Sequence, residues 1–305
     1  MANLKELSKK EPLFTCGHRS CAGCGAAIVA RQVLMAAPKD VVCAIATGCL
    51  EVTSTVYPFS SWNCPVIHNA FANAAATISG VESAYKALKR KGKIKKDIKF
   101  IAFGGDGGTY DIGLQSLSGA IERGHDFLYI CYDNEAYSNT GFQRSSATPF
   151  LAESSTSPYG KKITGKIQRR KNLTEIIAAH KIPYVAQTAA GFYNDIISKV
   201  EKALSIPGPK FINILSPCVL GWGINPKDTI KTAKLAVDSC FWPLYEVENG
   251  EYKLNYKPSV KKPVKEWLEK QSRFSHLLSN ENKKLLSEFQ KDVDSSWQEL
   301  LQKSE

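Results

Sequence analysis

No apolar run in this 305-residue chain approaches the ~20 residues that a membrane-spanning helix needs, so no membrane partner is expected. The first residues, MANLKELSKKEPLF, lack the apolar core of a signal peptide, which makes the cytoplasm the expected location. Nine cysteines, an odd number in such a chain, argue against a disulfide framework and for metal ligands or buried thiols. A formal net charge of +11 raises the question of nucleic acid. No basic helix with interleaved aromatics and no zinc-finger spacing accompanies it, so nucleic acid is not an expected partner. The lysines lie in scattered runs, Lys89 to Lys96 and Lys161 to Lys171, whose field could steer an acidic protein or merely keep a surface solvated. No internal repeat is visible. With 43% hydrophobic and 23% charged residues, the chain is long enough to bury a full core.

What is present is a regular alternation of short apolar runs and amphipathic stretches. Strands are expected over Val41 to Ala46, Phe100 to Phe103, Phe127 to Tyr132, Tyr184 to Thr188 and Phe211 to Leu215. Helices are expected over Ala70 to Lys91, Ile112 to Arg123, Leu173 to His180 and Tyr193 to Leu204. This is the pattern of an α/β fold with a doubly wound, mainly parallel sheet, whose ligands gather at the carboxyl ends of the strands. The pattern stops between Tyr137 and Lys171, a segment long enough to be functional. After Pro217 the sheet pattern ends. Beyond it come a helix over Lys227 to Cys240, a hairpin from Tyr245 to Tyr256 around Asn249-Gly250, and charged helices near Val264 to Leu278 and Glu281 to Gln302. The expected division is therefore an α/β domain over 1–224 and a helical and hairpin arm over 225–305 that packs on the core or on a partner.

The most informative spacing is Gly105-Asp106-Gly107 followed, one helix and one strand later, by Asp133-Asn134. Gly104, Gly105, Gly107 and Gly108 let backbone N–H groups approach phosphate oxygens, and Asp106 supplies the hard oxygen that Mg2+ prefers. Asn134 offers a neutral oxygen from the next strand end. A magnesium-clamped diphosphate fits this order, and thiamine diphosphate is the expected cofactor. A lone Gly-Asp-Gly would be an ordinary turn; the second element is what gives it meaning.

Cys21-x-x-Cys24, Cys49 and Cys218 supply four thiolates, enough for an iron-sulfur cluster, for a structural zinc, or for nothing more than unrelated thiols chosen from nine. Cys49 and Cys218 follow strands at the edge expected to hold the cofactor, which favours a redox centre. Cys43 and Cys131 read as small core residues, and Cys64 and Cys240 have no partner nearby in sequence.

Taken together, Gly17-His18-Arg19 before CAGCGA, then ATGCLEV, IHNAFANAAA, GGDGGTYDIG, the YSNTG loop with Gln143 and Ala147-Thr148-Pro149, SPCVLGWG, and Trp242-Pro243-Leu244-Tyr245-Glu246 resemble the beta subunit of the 2-oxoacid:ferredoxin oxidoreductases, most closely the multi-subunit pyruvate synthase type. The resemblance implies a sheet of the thiamine diphosphate-binding type. It implies a [4Fe-4S] cluster on Cys21, Cys24, Cys49 and Cys218, and Mg2+ on Asp106, Asn134 and the Ala136 carbonyl. It places cofactor contacts at Cys49, Gly105, Asp106, Gly107, Gly108, Asn134, Glu135, Ala136, Tyr137, Ser138 and Asn139, with Asn139 as the catalytic residue facing the reacting centre. Ala26 departs from members that carry Glu there, which removes a side-chain contact. Glu51 and His68 lie in matching motifs, each open between cofactor contact and structural polar group.

The implied reaction is the reversible oxidative decarboxylation of a 2-oxoacid, pyruvate first, to an acyl-coenzyme A and CO2, with electrons passing through the cluster to ferredoxin. Oxalate, branched-chain and aromatic 2-oxoacids are the alternatives within the family, and a non-redox thiamine enzyme with a structural zinc is the alternative outside it. Two things are missing from the sequence: a carboxylate to activate the pyrimidine of thiamine, and a C-x2-C-x2-C-x3-C run to carry electrons onward. Both gaps point to alpha, gamma and delta-type partner subunits.

Overall fold

The computed structural model describes residues 4–304. Eight strands form one sheet: β1 (Val41–Ala46), β2 (Val66–Asn69), β3 (Lys99–Gly105), β4 (Leu128–Asp133), β5 (Tyr184–Ala189), β6 (Lys210–Leu215), β7 (Tyr245–Glu248) and β8 (Glu251–Leu254), in the order β2-β1-β3-β4-β6-β5-β7-β8. The first six are parallel, and β7 and β8 add antiparallel at one edge. Strands β4, β5 and β6 are buried along their whole length, which is why each reads as a near-continuous apolar run.

Side chains alternate between two cores, as the two-residue period of a strand requires. Ile101 and Phe103 face one side, where the helices Gly25–Ala36 and Tyr193–Ser205 pack. Ala102, Tyr129 and Cys131 face the other, covered by the helices Ala74–Arg90, Leu114–Glu122 and Leu173–Ala178. The mainly parallel, doubly wound architecture expected from the sequence is the one observed.

The differences have local causes. The helix expected from Ala70 begins at Ala74, because Asn73 N–H bonds back to the Ala70 carbonyl and turns the chain first. The helix expected from Ile112 begins at Leu114, after a wide turn of π type over Gly107–Asp111. The elements not anticipated include the helix Gly25–Ala36, alanine-rich and without a strong polar face, the short edge strand β2, and the short helices Cys49–Ser54 and Val219–Trp222. The sheet does not end at Pro217. The hairpin around Asn249-Gly250 pairs with β5 and extends it. The last charged stretch forms the helix Lys283–Lys303, while Val264 to Leu278 breaks into the helix Val264–Leu268 and a 3-10 segment Ser272–Leu278.

The arm packs on its own chain. Val264, Trp267, Leu268, Phe274, Leu277, Phe289 and Val293 join Leu151, Leu215 and Trp222 in a third apolar cluster. Trp267 is its centre, stacked on Phe241 at 4.2 Å between centroids and edge-on to Trp222 at 6.0 Å. Trp267→Ala is expected to cost about 3–5 kcal/mol, read as a fall in the urea midpoint of the purified chain.

Candidate cofactor and thiol site

At the carboxyl ends of β1, β3 and β4 lies a cavity of about 220 Å3. Gly105, Asp106, Gly107 and Gly108 form one wall and Asn134, Ala136, Tyr137, Ser138 and Asn139 another, with Thr47, Gly48 and Cys49 from the end of β1. The glycines are sterically required. A Cβ on Gly107 would stand 2.5 Å from the Tyr137 ring, and one on Gly108 would stand 3.0 Å from the Phe71 carbonyl oxygen. The Tyr137 hydroxyl donates to the Gly107 carbonyl (3.2 Å) and to Asp111 Oδ2 (3.1 Å), fixing the glycine turn from above.

Asp106 is buried beneath this turn. Ser145 Oγ and the Asn134 N–H (3.2 Å) donate to its carboxylate. Burial and then the neighbouring Asp133 push its carboxyl well above the usual range. The outer end of the Asn134 amide lies 3.1 Å from Asp106 Oδ1 and 2.8 Å from the Ala136 carbonyl oxygen. Without a cation, the NH2 must turn inward to donate to both. With the Asn134 oxygen inward, it stands from the Asp106 and Ala136 oxygens at the spacing that adjacent ligands of an octahedral Mg2+ require, about 2.9 Å for bonds of about 2.1 Å. The residues therefore fit a hard divalent cation, and the glycine turn beside them fits the diphosphate such a cation would bridge.

The backbone that presents Asn134 and Ala136 is held by buried charge. Glu135 adopts φ +64° and sends its side chain away from the cavity, so it reaches the site through its backbone alone. Glu135 Oε1 pairs with Arg170 Nη1 at 3.2 Å and Oε2 with Arg273 Nη2 at 2.5 Å, while Asp133 Oδ2 pairs with Arg170 Nη2 at 3.0 Å. Tyr110 Oη donates to Asp133 Oδ2 and accepts from Asn213 Nδ2 at 2.7 Å. Burial raises both carboxyls, and the two guanidiniums oppose it. Burial also works against the charge on Arg170, but Tyr110, Asp133 and Glu135 outweigh it. Trp222 Nε1 donates to the Asn134 carbonyl at 2.8 Å, tying the Cys218 loop to the same backbone.

Cys21, Cys24, Cys49 and Cys218 come together, and close approaches permitted by glycine bring them there. A Cβ on Gly25 would stand 2.6 Å from the Ser216 carbonyl carbon, and the Gly25 N–H donates to the Pro217 carbonyl at 3.2 Å, which seats the Cys24 loop against Cys218. The Arg19 N–H donates to the Thr53 carbonyl (2.7 Å), and Thr53 Oγ1 donates to the Cys49 carbonyl (2.7 Å), linking the segment before Cys21 to the Cys49 helix. Cys24 precedes the helix Gly25–Ala36, Cys49 opens the helix Cys49–Ser54, and Cys218 caps a single turn, accepting from the Gly221 N–H at 3.3 Å. Burial, followed by the neighbouring thiols Cys218, Cys24 and Cys21, pushes Cys49 up to about 12. Burial also raises Cys24, against donation from the backbone of Ala27 and Ala26. Among the described residues no three His, Cys, Asp or Glu side chains converge on a single ion. Cys49 and Cys24 each feel the charge of other thiols of the set.

Cys49 joins the two sites. It lines the cavity, stands among the four thiols, and its Sγ lies 3.7 Å from Asn139 Oδ1. Sequence reasoning missed Thr47, Phe71, Tyr132 and Ser145; the first two lie inside motifs already singled out. Of the remaining cysteines, Cys43 and Cys131 are buried as expected. Cys64, with no neighbour in sequence, has Cys43 at 3.8 Å between sulfurs. Glu51 is nearly buried, its Oε1 accepting from Thr55 Oγ1 at 2.9 Å and its Oε2 lying 3.6 Å from His68 Nε2.

Residues 46–214 match the family model described as thiamine pyrophosphate enzyme, C-terminal TPP binding domain. Over this span the fold is thus a thiamine diphosphate-binding domain. The pyruvate synthase subunit PorB of Methanocaldococcus jannaschii is 57% identical, covering 93% of this chain and 95% of that protein. PorB of Thermotoga maritima is 53% identical, over 97% and 94%. The ketoisovalerate oxidoreductase subunit VorB of Pyrococcus abyssi is 42% identical, over 95% and 93%. A solved 2-oxoglutarate:ferredoxin oxidoreductase from Magnetococcus marinus superposes with a TM-score of 0.54 at 20% identity, over 70% of this chain and 76% of that one, which supports the fold alone. The chain belongs to the 2-oxoacid:ferredoxin oxidoreductase family, as a beta-type subunit.

Two outcomes follow. Asp106→Asn removes a buried carboxylate whose folded pKa lies above its unfolded value near about 3.9. A raised acid of this kind costs stability as pH climbs from the unfolded value through the folded one. The variant is therefore expected to melt higher than the parent at neutral pH without cofactor, and to lose the stabilisation that Mg2+ with thiamine diphosphate confers; thermal melts with and without them check both. Arg273→Met leaves Glu135 Oε2 buried and unpaired, with Arg170 on the other oxygen alone, and is expected to cost about 3 kcal/mol. The Glu135→Gln/Arg273→Met double variant should recover part of that in a double-mutant cycle.

Proposed function

We propose that this chain is the thiamine- and cluster-bearing subunit of an enzyme that oxidatively decarboxylates a 2-oxoacid, pyruvate first, to its acyl-coenzyme A and CO2, reversibly, with electrons leaving to ferredoxin. The observation that carries the reading is the position of Cys49, one residue shared by the cofactor cavity and the thiol cluster. Thiamine diphosphate, when bound, supplies the electron sink that 2-oxoacid decarboxylation needs.

The chain's own residues have separable tasks. Asp106, Asn134 and the Ala136 carbonyl would hold Mg2+, and Gly105, Gly107 and Gly108 would present backbone N–H groups to the diphosphate. Cys21, Cys24, Cys49 and Cys218 would hold a [4Fe-4S] cluster, their charge offset by N–H groups at the starts of the segments they open. Asn139, fixed beside Cys49, orients the substrate at the catalytic centre. Tyr137 and Ser138 hold the loop that closes over it. The cavity wall offers one carboxylate, Asp106, which would be committed to the metal. The pyrimidine half-site is therefore assigned to an alpha-type subunit, and onward electron transfer to gamma- and delta-type subunits. Residues 1–224 would form the cofactor domain and 225–305 the arm that braces it. No helix among the described residues is long and apolar enough to cross a membrane, and a cytoplasmic complex is proposed. A branched-chain 2-oxoacid is the second reading, supported by the likeness to VorB.

Anaerobic purification with co-eluting chains, followed by iron, sulfide and thiamine analysis and a 2-oxoacid screen with coenzyme A, tests the assignment. Iron and sulfide of at least four each per copy of this chain, the excess coming from co-eluting electron-carrying subunits, with pyruvate the best substrate, is the expected result; zinc without iron would sink it. Cys218→Ser is expected to lose the cluster while retaining thiamine diphosphate, whereas Cys49→Ser should weaken both, since Cys49 alone lines the cavity.

A further inference from the structure

Beside the cavity wall stands a histidine that the assignments above leave unused. His68 is the penultimate residue of β2, beside the end of β1, with Ile45 opposite it in the parallel register. Its Nε2 lies 3.1 Å from Thr47 Oγ1 and 3.6 Å from Glu51 Oε2. Thr47 lines the cavity, two residues before Cys49, so the ring is one contact from the pocket wall. The surroundings are built to orient it. The Glu51 carboxylate is nearly buried and pinned by Thr55 Oγ1, and Thr47 is itself fixed by its hydroxyl and its N–H on the Asn69 carbonyl. Both interactions of the ring engage Nε2. Among the described residues no protein group bonds Nδ1, and the side chain is 47% exposed.

A carboxylate behind one ring nitrogen and a second nitrogen left free of protein partners is the arrangement of an oriented general base. The proposed reaction has one substrate that must lose a proton: the thiol that takes the acyl group. We propose that His68 Nδ1 accepts the thiol proton of coenzyme A, with Glu51 and Thr47 as positioning residues. The step is a proton transfer alone. The S–H bond breaks, an N–H bond forms at Nδ1, the resulting thiolate is the nucleophile, and the imidazolium is balanced by Glu51, its one ion-pair partner among the described residues. This inference rests on the proposed acyl transfer to coenzyme A.

The size of the effect is bounded. A thiol with a pKa of about 8.5 is about 3% ionised at pH 7, so losing the base costs at most roughly 30-fold, shrinking about tenfold for each unit of rising pH. In the anaerobically purified complex, single-turnover kinetics separate 2-oxoacid-dependent electron release from the step that requires coenzyme A. His68→Gln, with thiamine content equal to the parent, is expected to slow the coenzyme A step about 10- to 30-fold at pH 7 and to recover by about pH 9. Glu51→Gln should give a smaller deficit of the same pH dependence. Coenzyme A should also slow modification of His68 by diethyl pyrocarbonate, read by mass spectrometry. A pH-independent loss, an equal loss in the step before coenzyme A, or an unaffected variant would overturn the role of His68. A parent complex with no coenzyme A-dependent step would instead overturn the reading beneath it.

Discussion

The cofactor site depends on a buried ion-pair network beneath it. Asp133 and Glu135 flank Asn134 at the end of β4, and both are wholly buried. Left unpaired, either would cost several kcal/mol, a large share of the ~5–15 kcal/mol by which a domain is stable. Arg170 from the long loop and Arg273 from the C-terminal arm supply the compensation, each also stacked on tryptophan, Arg170 over Trp242 at 4.6 Å and Arg273 over Trp222 at 4.2 Å. Glu135 can hold its left-handed conformation because both of its carboxylate oxygens are engaged from opposite sides. The arm and the long loop are thereby part of the machinery that fixes where the Asn134 and Ala136 oxygens stand.

A second constraint follows from the shared residue. Cys49 opens its helix one residue after Gly48, so its position is set by the end of β1, while Asn139 touches its sulfur from the loop after β4. The cavity and the thiol cluster cannot move independently. Trp222 reinforces the coupling by donating to the Asn134 carbonyl from the turn that Cys218 caps. A geometry in which one backbone segment serves both centres keeps them within a short distance of each other, which electron transfer between them would need.

The strands were legible because burial on both faces leaves unbroken apolar runs, as in YICY and FINIL. The amphipathic helices were legible for the complementary reason. The helix Gly25–Ala36 was not, because it is alanine-rich and buried on most sides, so no polar face marks its period. The hairpin was seen as a hairpin, but its membership in the sheet was hidden; which edge it joins depends on β5, over fifty residues away. In the site, Gly105, Asp106 and Asn134 were readable because strand, loop and helix impose a fixed spacing. Ser145 was not, because it reaches Asp106 from a loop without periodicity. His68 and Glu51 stood out as polar residues inside motifs, yet nothing in the sequence said that they face each other.

What the sequence alone determined is the parallel α/β sheet, the glycine-rich Asp106 turn at its carboxyl edge, and which four cysteines gather near that edge. These are local matters of period, turn chemistry and ligand type. Only the tertiary structure decided that Glu135 turns inward to Arg273, that Gly25 lets the Cys24 loop meet Cys218, and that Trp222 ties the Cys218 turn to the Asn134 carbonyl. Each of these joins segments distant along the chain. Such contacts arise from the packing of whole elements against one another, and no short window of residues carries that information.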